Sequence, residues 1–530
     1  MKAKKVLACL ALVFGATTTG VLLGTQAQNS PVDLSLYFTP GTPEVPDPPE
    51  NWFVYKILRE KFNINLKINR SQFGAEGTAK LRALAAANDL PDYFAIDDRT
   101  VFYDFAEQGL LAPSEPIQKL MPKRFADRSK DSKLVQLSTF NNVRYGFIER
   151  SIFKNRHGML IRKDWLTKLG LKAPTTLEEF LEVAKAFTFN DPDGNGKNDT
   201  YGYGVSGSVS NYAPSAGLGV ATSNSSGWEW VYGAYGVGSR WNITTAGAKP
   251  NVLDSRYLQA TQFVRKVNQA KIVDPDWPTL SGSDFAGRWK AGKYGMFLYD
   301  FCAAICYQNY PDFDKNNPKG ELQYIFPPKG PGGKSSIGLL APVGTLMAMS
   351  KKAADAGKGK LLAQFLEWAN SPEGYFALMF GIKGVNYNLD KDGDPTYEGI
   401  PENMRYTSKE QGPLTQMKNF ASNGNPGEVA TVRPPHKALD GRIINPIEMG
   451  YKITAQMPFV NTTAQLLIKP ASNQADLDRY IAEGLTQFVL GQRPLSNTEW
   501  TSFTKSLSSL NFAAYVTSAN NDLRKAGFVK

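Results

Sequence analysis

The chain has 530 residues, 42% of them apolar and 21% charged, which describes a soluble globular protein long enough for two lobes with separate cores. Three Cys exclude a scaffold built on disulfides, and two His argue against a histidine-rich zinc centre or a His-based triad. The formal net charge is +11, yet Lys and Arg alternate with Asp and Glu instead of forming a basic run, so no nucleic-acid partner is expected.

At the amino terminus, Lys2, Lys4 and Lys5 precede an apolar stretch from Val6, and a small-residue site follows at Thr25-Gln26-Ala27. This order predicts a secretory signal over residues 1–27 and an extracytoplasmic destination. Gly15 and three threonines break the apolar run and no stop-transfer pattern follows, so a spanning helix is the weaker reading. Cys9 stands too early to be the cleavage-site cysteine of a lipid anchor. Losing the three signal lysines leaves a charge of about +8, which reads as an evenly basic, solvated surface.

The mature part begins with a strand, Val32 to Phe38, then a Pro-rich loop to Pro49 and an amphipathic helix from about Trp52 to Phe62. A strand at Asn65 to Ser71, a helix around Thr78 to Asn88 and a strand at Asp92 to Ile96 complete an alternation that predicts a parallel sheet. Ligands of such sheets bind beyond the carboxyl ends of the strands, which directs attention to the loops starting at Thr39, Ser71 and Asp97. From about residue 148 a second lobe is expected. A short helix there stops at Gly170, and a longer one starts with a capping box of Thr176 and Glu179. Leu177, Phe180, Leu181, Ala184 and Phe187 lie along one stripe of that helix. Further helices are expected at Tyr257 to Ala270, Lys358 to Asn370 and Gln474 to Leu490, the last closed by Gly491.

Just after the capped helix stands Asp191-Pro-Asp193-Gly-Asn195-Gly196-Lys197-Asn-Asp199. Oxygen-bearing side chains at alternate positions, with Gly at the sixth, match the first nine places of an EF-hand calcium loop. The spacing turns Asp191, Asp193, Asn195 and Asp199 inward with the Lys197 carbonyl between them, and the carboxylates repel one another without a cation. Gly202 occupies the twelfth place, where a bidentate Glu is usual, so Thr200 or another residue has to complete the shell. A structural Ca2+ is expected. The shorter stretch Asp390-Lys-Asp392-Gly-Asp394 reads as a hairpin turn.

No G-x-S-x-G elbow, Walker loop or H-E-x-x-H is present, and pairs such as Glu178-Glu179 or Asp97-Asp98 are explained by helix starts and turns. No catalytic residue is named, and a secreted polysaccharide hydrolase or lyase is the alternative. Cys302 and Cys306 share a helical face. An oxidising compartment permits a disulfide if the turn distorts, and two buried thiols are the other reading.

The segment IRKDWLTKLGLKAPTTLEEF resembles the RKDWLDKLGLKVPTT signature of family 1 extracellular solute-binding proteins of ABC transporters, in the LipO-type and alginate-binding branch. DLPDYFAI, FAEQGLLAPSEPI, KIVDPDWPTLSGSDFAGRWKAGKYGMF and FGIKGVNY are similar to further family motifs in the same order. The resemblance implies a two-lobed α/β fold of the type II periplasmic-binding-protein kind with a cleft between the lobes. It implies a monomer that closes on an oligosaccharide and delivers it to an ABC permease. The lobes are expected to interleave, with residues 28–147 and about 340–445 in the first and about 148–339 and 446–530 in the second. The alginate-binding members hold calcium at the same place, through positions matching Asp191, Asp193, Asn195, Lys197, Asp199 and Thr200. Thr200 departs from the family's usual Glu, and Asn386 stands where many members have His.

A closing receptor takes ligand contacts from both lobes. Ser71, Gln72, Asp97 and Asp98 are the candidates beyond the first lobe's strands, and Glu149 and Arg150 follow the expected hinge segment. From the second lobe come Tyr299 and Asp300, together with Trp228 and Trp230, whose Gly- and Ser-rich surroundings favour exposure. Aromatic faces cover the apolar side of a sugar ring while carboxylates and amides take its hydroxyls. The 12% aromatic content suits that use and suits large aromatic cores equally.

Overall fold

The structure is a computed structural model of the chain. It describes residues 30–38, 46–70, 75–124, 132–147, 157–207, 227–307, 309–337, 339–340, 346–391, 393, 395–406, 408, 410–421, 435–461 and 464–530. The expected signal lies outside them. Among the described residues no helix is long and apolar enough to cross a membrane.

Two sheets organise the molecule, and only their strands are numbered. The first contains β1 (Val32–Phe38), β2 (Ile64–Arg70), β3 (Tyr93–Ile96), β4 (Gly146–Phe147) and, much later in the chain, β9 (Leu346–Met349). Its order is β2-β1-β3-β9-β4, with β1, β2 and β3 parallel as the alternation predicts and β9 antiparallel to both β3 and β4. The pleat sends alternate side chains to opposite faces. Leu36 and Phe38 therefore pack with Leu362, Phe365 and Leu366 on one side, while Tyr37 joins Phe94, Phe102 and Phe105 on the other.

The second sheet contains β5 (His157–Arg162), β6 (Tyr201–Gly204), β7 (Tyr294–Asp300) and β8 (Leu322–Ile325), in the order β8-β5-β7-β6. β7 runs parallel to β6 and antiparallel to β5, and β8 is antiparallel to β5. Met159 and Ile161 enter a core with the Leu177–Phe189 helix, whereas Leu160 faces a second core with Phe297 and Phe301. That helix starts with the expected capping box, Thr176 Oγ1 accepting from the Glu179 amide and Glu179 Oε2 from the Thr176 amide. β6 packs tightly against it. A Cβ at Gly202 would stand 2.0 Å from the Ala184 carbonyl oxygen, which explains Gly at a place where an EF-hand has Glu.

One expected assignment changes. The hairpin His436–Lys437 and Ile443–Ile444 was placed with the first lobe, yet Ala438 and Ile444 enter the Phe297 core, the Leu439 amide donates to Asp314 and Arg442 donates to the Gly320 carbonyl. Asp390 does lie at a hairpin, between Asn388–Leu389 and Pro395–Thr396.

Candidate ligand cleft and cation loop

The carboxyl ends of β1, β2 and β3 are Phe38, Arg70 and Ile96, all at one edge of the first sheet. Because β9 is antiparallel to β3 and begins opposite Ile96, its amino end is at that edge too. In the second sheet the amino end of β5 (His157), the carboxyl end of β7 (Asp300), that of β6 (Gly204) and that of β8 (Ile325) share an edge. The chain crosses from the end of β4 to the start of β5, and from the end of β8 to the start of β9. Both crossings join these same two edges, which defines a cleft bordered by strand ends of both sheets.

At the first edge, Asp97 and Asp98 are half-buried. Asp98 caps the Arg99–Glu107 helix, its Oδ1 accepting from the Thr100 amide at 2.8 Å and the Thr100 hydroxyl at 2.6 Å. Ser71, Gln72, Glu149 and Arg150 lie outside the described residues.

At the second edge, Tyr299 is half-buried, with its ring 5.7 Å from Trp289 and 5.8 Å from Phe285. Burial pushes its hydroxyl above the ordinary tyrosine value. Asp300 is buried. Its Oδ1 accepts from the amides of Cys302 and Ala303 at 2.8 and 3.1 Å, so this carboxylate caps the Phe301–Ile305 helix and is not the open ligand group expected. Sequence reasoning missed Phe326, the residue after β8, which is 52% exposed at the same edge. Its signal was the pair Pro327-Pro328 directly behind it, which cannot continue a strand and so marks the strand end.

Trp228 and Trp230 correct the expectation of exposure. Trp228 precedes the Glu229–Ala234 helix, and both indoles are 0% exposed. Trp230 lies 4.9 Å from Phe180 and donates to the Tyr203 hydroxyl at 2.8 Å, and Trp228 lies 5.7 Å from Trp277. The Gly- and Ser-rich run ends before this helix, whose residues are all buried. Asn386 is likewise structural, accepting from the Ile382 amide and donating to the Met404 carbonyl.

The loop at 191–199 is wrapped around its own carboxylates. Asp191 accepts from the amides of Gly194, Asn195 and Gly196 at 3.0, 3.0 and 3.2 Å. The left-handed φ of 76° at Gly196 makes that turn possible. Asn195 Nδ2 sits between Asp193 Oδ2 (2.9 Å) and Asp199 Oδ1 (3.1 Å), donating to both. Lys293 takes the other oxygen of Asp199 at 2.7 Å, and Lys168 holds the Asp191 carbonyl at 2.9 Å. Burial and the neighbouring Asp191 and Asp199 charges push the Asp193 carboxyl up, whereas the Lys293 and Asn195 hydrogen bonds hold Asp199 down.

Among the described residues no three acidic, Cys or His side chains converge as metal ligands would. The Asn195 amide nevertheless stands between Asp193 and Asp199, where a cation would meet both carboxylates, and its own oxygen accepts from the Lys197 amide at 2.8 Å. The donor set therefore fits a hard cation. Thr200 does not join it: its hydroxyl is buried and donates to the Phe187 carbonyl at 2.8 Å.

Paired α/β sheets whose strand ends face one cleft, joined by repeated crossings, define a two-lobed solute-binding receptor of the type II periplasmic kind. The chain belongs to the family of bacterial extracellular solute-binding proteins, which it matches over residues 48–375. It is 26% identical over 417 residues to Lipoprotein LipO of Bacillus subtilis, covering 78% of each chain. Among solved structures it is similar to the S. pneumoniae ABC-transporter substrate-binding protein FusA, as an EF-hand mutant in complex with fructo-nystose. That match has a TM-score of 0.65 at 17% identity, covering 94% of this chain and 99% of the other.

 The alginate-binding protein AlgQ2, solved without calcium ion, matches with a TM-score of 0.64 at 16% identity, covering 94% of this chain and 98% of that one.

Proposed function

We propose that this receptor captures an oligosaccharide between its lobes and presents it, unconverted, to the permease of an ABC importer. One observation carries the reading: both crossings join sheet edges that bring half-buried carboxylates from one side and aromatic faces from the other. A sugar needs that pairing, a flat apolar surface for the ring and acceptors for its hydroxyls. Phe326 and Tyr299 supply the surface, and Asp97 and Asp98 supply acceptors. The fructo-nystose complex of FusA and the alginate-binding name of AlgQ2 support the same ligand class. The first lobe comprises residues 28–147 and about 340–434, and the second about 148–339 and 435–530, working as a monomer.

Calcium belongs to this reading as a structural ion. Asp191, Asp193, Asn195 and Asp199 would hold it through side-chain oxygens and Lys197 through its carbonyl, screening the mutual repulsion of the carboxylates. Calorimetry on chelator-treated protein tests this, with binding expected at or below millimolar Ca2+ and abolished by Asp193→Ala. No heat at millimolar Ca2+ overturns the ion.

The ligand class is tested by tryptophan fluorescence and thermal shift against neutral fructan and uronic oligosaccharides. Saturable responses to one set are expected, with no new reducing ends or unsaturated products. Silence with every sugar beside a response to peptides or polyamines overturns the class, and product formation establishes the hydrolase or lyase instead.

A further inference from the structure

We propose that Cys302 and Cys306 are joined by an intramolecular disulfide in the exported protein, a covalent staple across the Phe301–Ile305 helix at the second-lobe edge of the cleft. The two thiols are unbonded in the structure, but their buried sulfurs stand 2.6 Å apart, so only a small movement separates them from a bond of about 2.05 Å. Side chains four apart on a regular helix hold their Cβ atoms about 5–6 Å from each other, whereas a disulfide needs about 3.5–4.5 Å. The backbone makes up that difference. The helix ends at Cys306, whose φ of −77° and ψ of 153° are extended, so the second cysteine is released from helical geometry.

The surroundings favour the bonded form. Asp300 is buried two residues before Cys302, and the neighbouring Tyr324 hydroxyl is pushed up chiefly by its own burial and further by the Asp300 charge. A thiolate among these groups would face a carboxylate in a poorly solvated site, whereas a cystine is neutral at every pH. Members of an extracellular family also work where disulfides persist.

In forming the bond, the two thiols lose two protons and two electrons. These pass by thiol–disulfide exchange to the disulfide of an exported oxidoreductase, or of oxidised glutathione in vitro, which is reduced to two thiols as the S–S bond forms. The staple fixes the turn that Asp300 caps, and with it the end of β7 that carries Tyr299.

The test is peptide mass mapping of the full chain, denatured in guanidinium with iodoacetamide before and after reduction. Without reductant, the peptide from Tyr294 to Lys315 is expected unalkylated and about 2 Da light, one hydrogen lost per sulfur as the bond forms; after reduction it takes two alkyl groups. Refolding in a glutathione redox buffer separates this inference from the export on which it rests. A pair that stays open there overturns the disulfide, while one that closes there and is open only in secreted material overturns the exported setting. Reductant is expected to lower the wild-type Tm to that of a Cys302→Ser/Cys306→Ser variant, and a Tm indifferent to reductant overturns the stapling role.

Discussion

Two groups of aromatic side chains stand in the second lobe, and they have opposite relations to water. Trp228, Trp230, Tyr203, Phe180 and Trp277 pack ring against ring, all five at 0% exposure. Phe326 and Tyr299 stand at the ends of β8 and β7, the two strands that flank β5, one exposed and the other half-buried. Residue type is shared by the two groups. What separates Phe326 from the buried rings is whether a helix closes the second face; Tyr299 is intermediate, its ring packed on Phe285 and Trp289 of the Gly282–Lys290 helix. The Leu177–Phe189 helix covers Trp230, while Phe326 follows a strand at a point where two prolines turn the chain away. An aromatic closed on both faces stabilises the lobe; one with an open face can meet a ligand.

The most forceful way to break this comparison is Trp230→Ala. It removes a fully buried indole and leaves a cavity beside Phe180, at a cost of about 3–5 kcal/mol. Denaturant unfolding is expected to show that loss, with ligand affinity preserved at temperatures where the variant is folded. Affinity lost from a fully folded variant would return Trp230 to the cleft. The converse substitution is Phe326→Ala. Losing a stacking face worth about 1.4 kcal/mol lowers oligosaccharide affinity about tenfold, measured by titration, with Tm unchanged. A Tm drop without change in affinity would make Phe326 a packing residue.

A finer test lies within the buried group. Trp230 Nε1 donates to Tyr203, whereas Trp228 Nε1 has no hydrogen-bond partner among the described residues. Replacing each by Phe removes similar volume, but only Trp230→Phe removes a buried hydrogen bond. It is expected to cost about 1 kcal/mol more than Trp228→Phe, and equal costs would sink the distinction.

Much of the architecture was legible because local signals and tertiary packing agree. The Val32 strand, the Thr176–Glu179 capping box and the Gly170 and Gly491 helix stops each lie where residue chemistry alone puts them. The 191–199 loop was legible for the same reason, since alternate oxygens fix their own turn. The site was less legible. Asp300 reads as a polar residue at a strand end, and nothing in its neighbours announces that its carboxylate is consumed in capping a five-residue helix. Trp228 and Trp230 follow a Gly- and Ser-rich stretch, but their burial depends on Phe180 and Trp277, about fifty residues away on either side, and no local pattern encodes it. The hairpin at His436 was misplaced because a β-hairpin carries no mark of the lobe it packs on.

That hairpin gives the smallest expected effect, and it concerns a half-buried ring whose nitrogens are not satisfied. The His436 ring meets Tyr310 edge-on at 5.6 Å, and neither of its buried nitrogens has a hydrogen-bond partner among the described residues. Burial lowers its pKa below the ordinary value, with the Asp314 charge pulling the other way. Asp314 comes from the Tyr310–Asn316 helix, and Asp440 and Arg442 from the turn of the hairpin itself. The folded imidazole therefore stays neutral to a lower pH than an unfolded one. Below about 6.5 the unfolded chain binds a proton that the folded chain declines, so this contribution to stability is complete above that pH and is lost as pH falls. Wild-type Tm is expected to drop more than that of His436→Gln between pH 7.5 and 5.5. Equal drops would mean that Asp314 already compensates the charge, and that the ring is as well satisfied as the Trp230 indole.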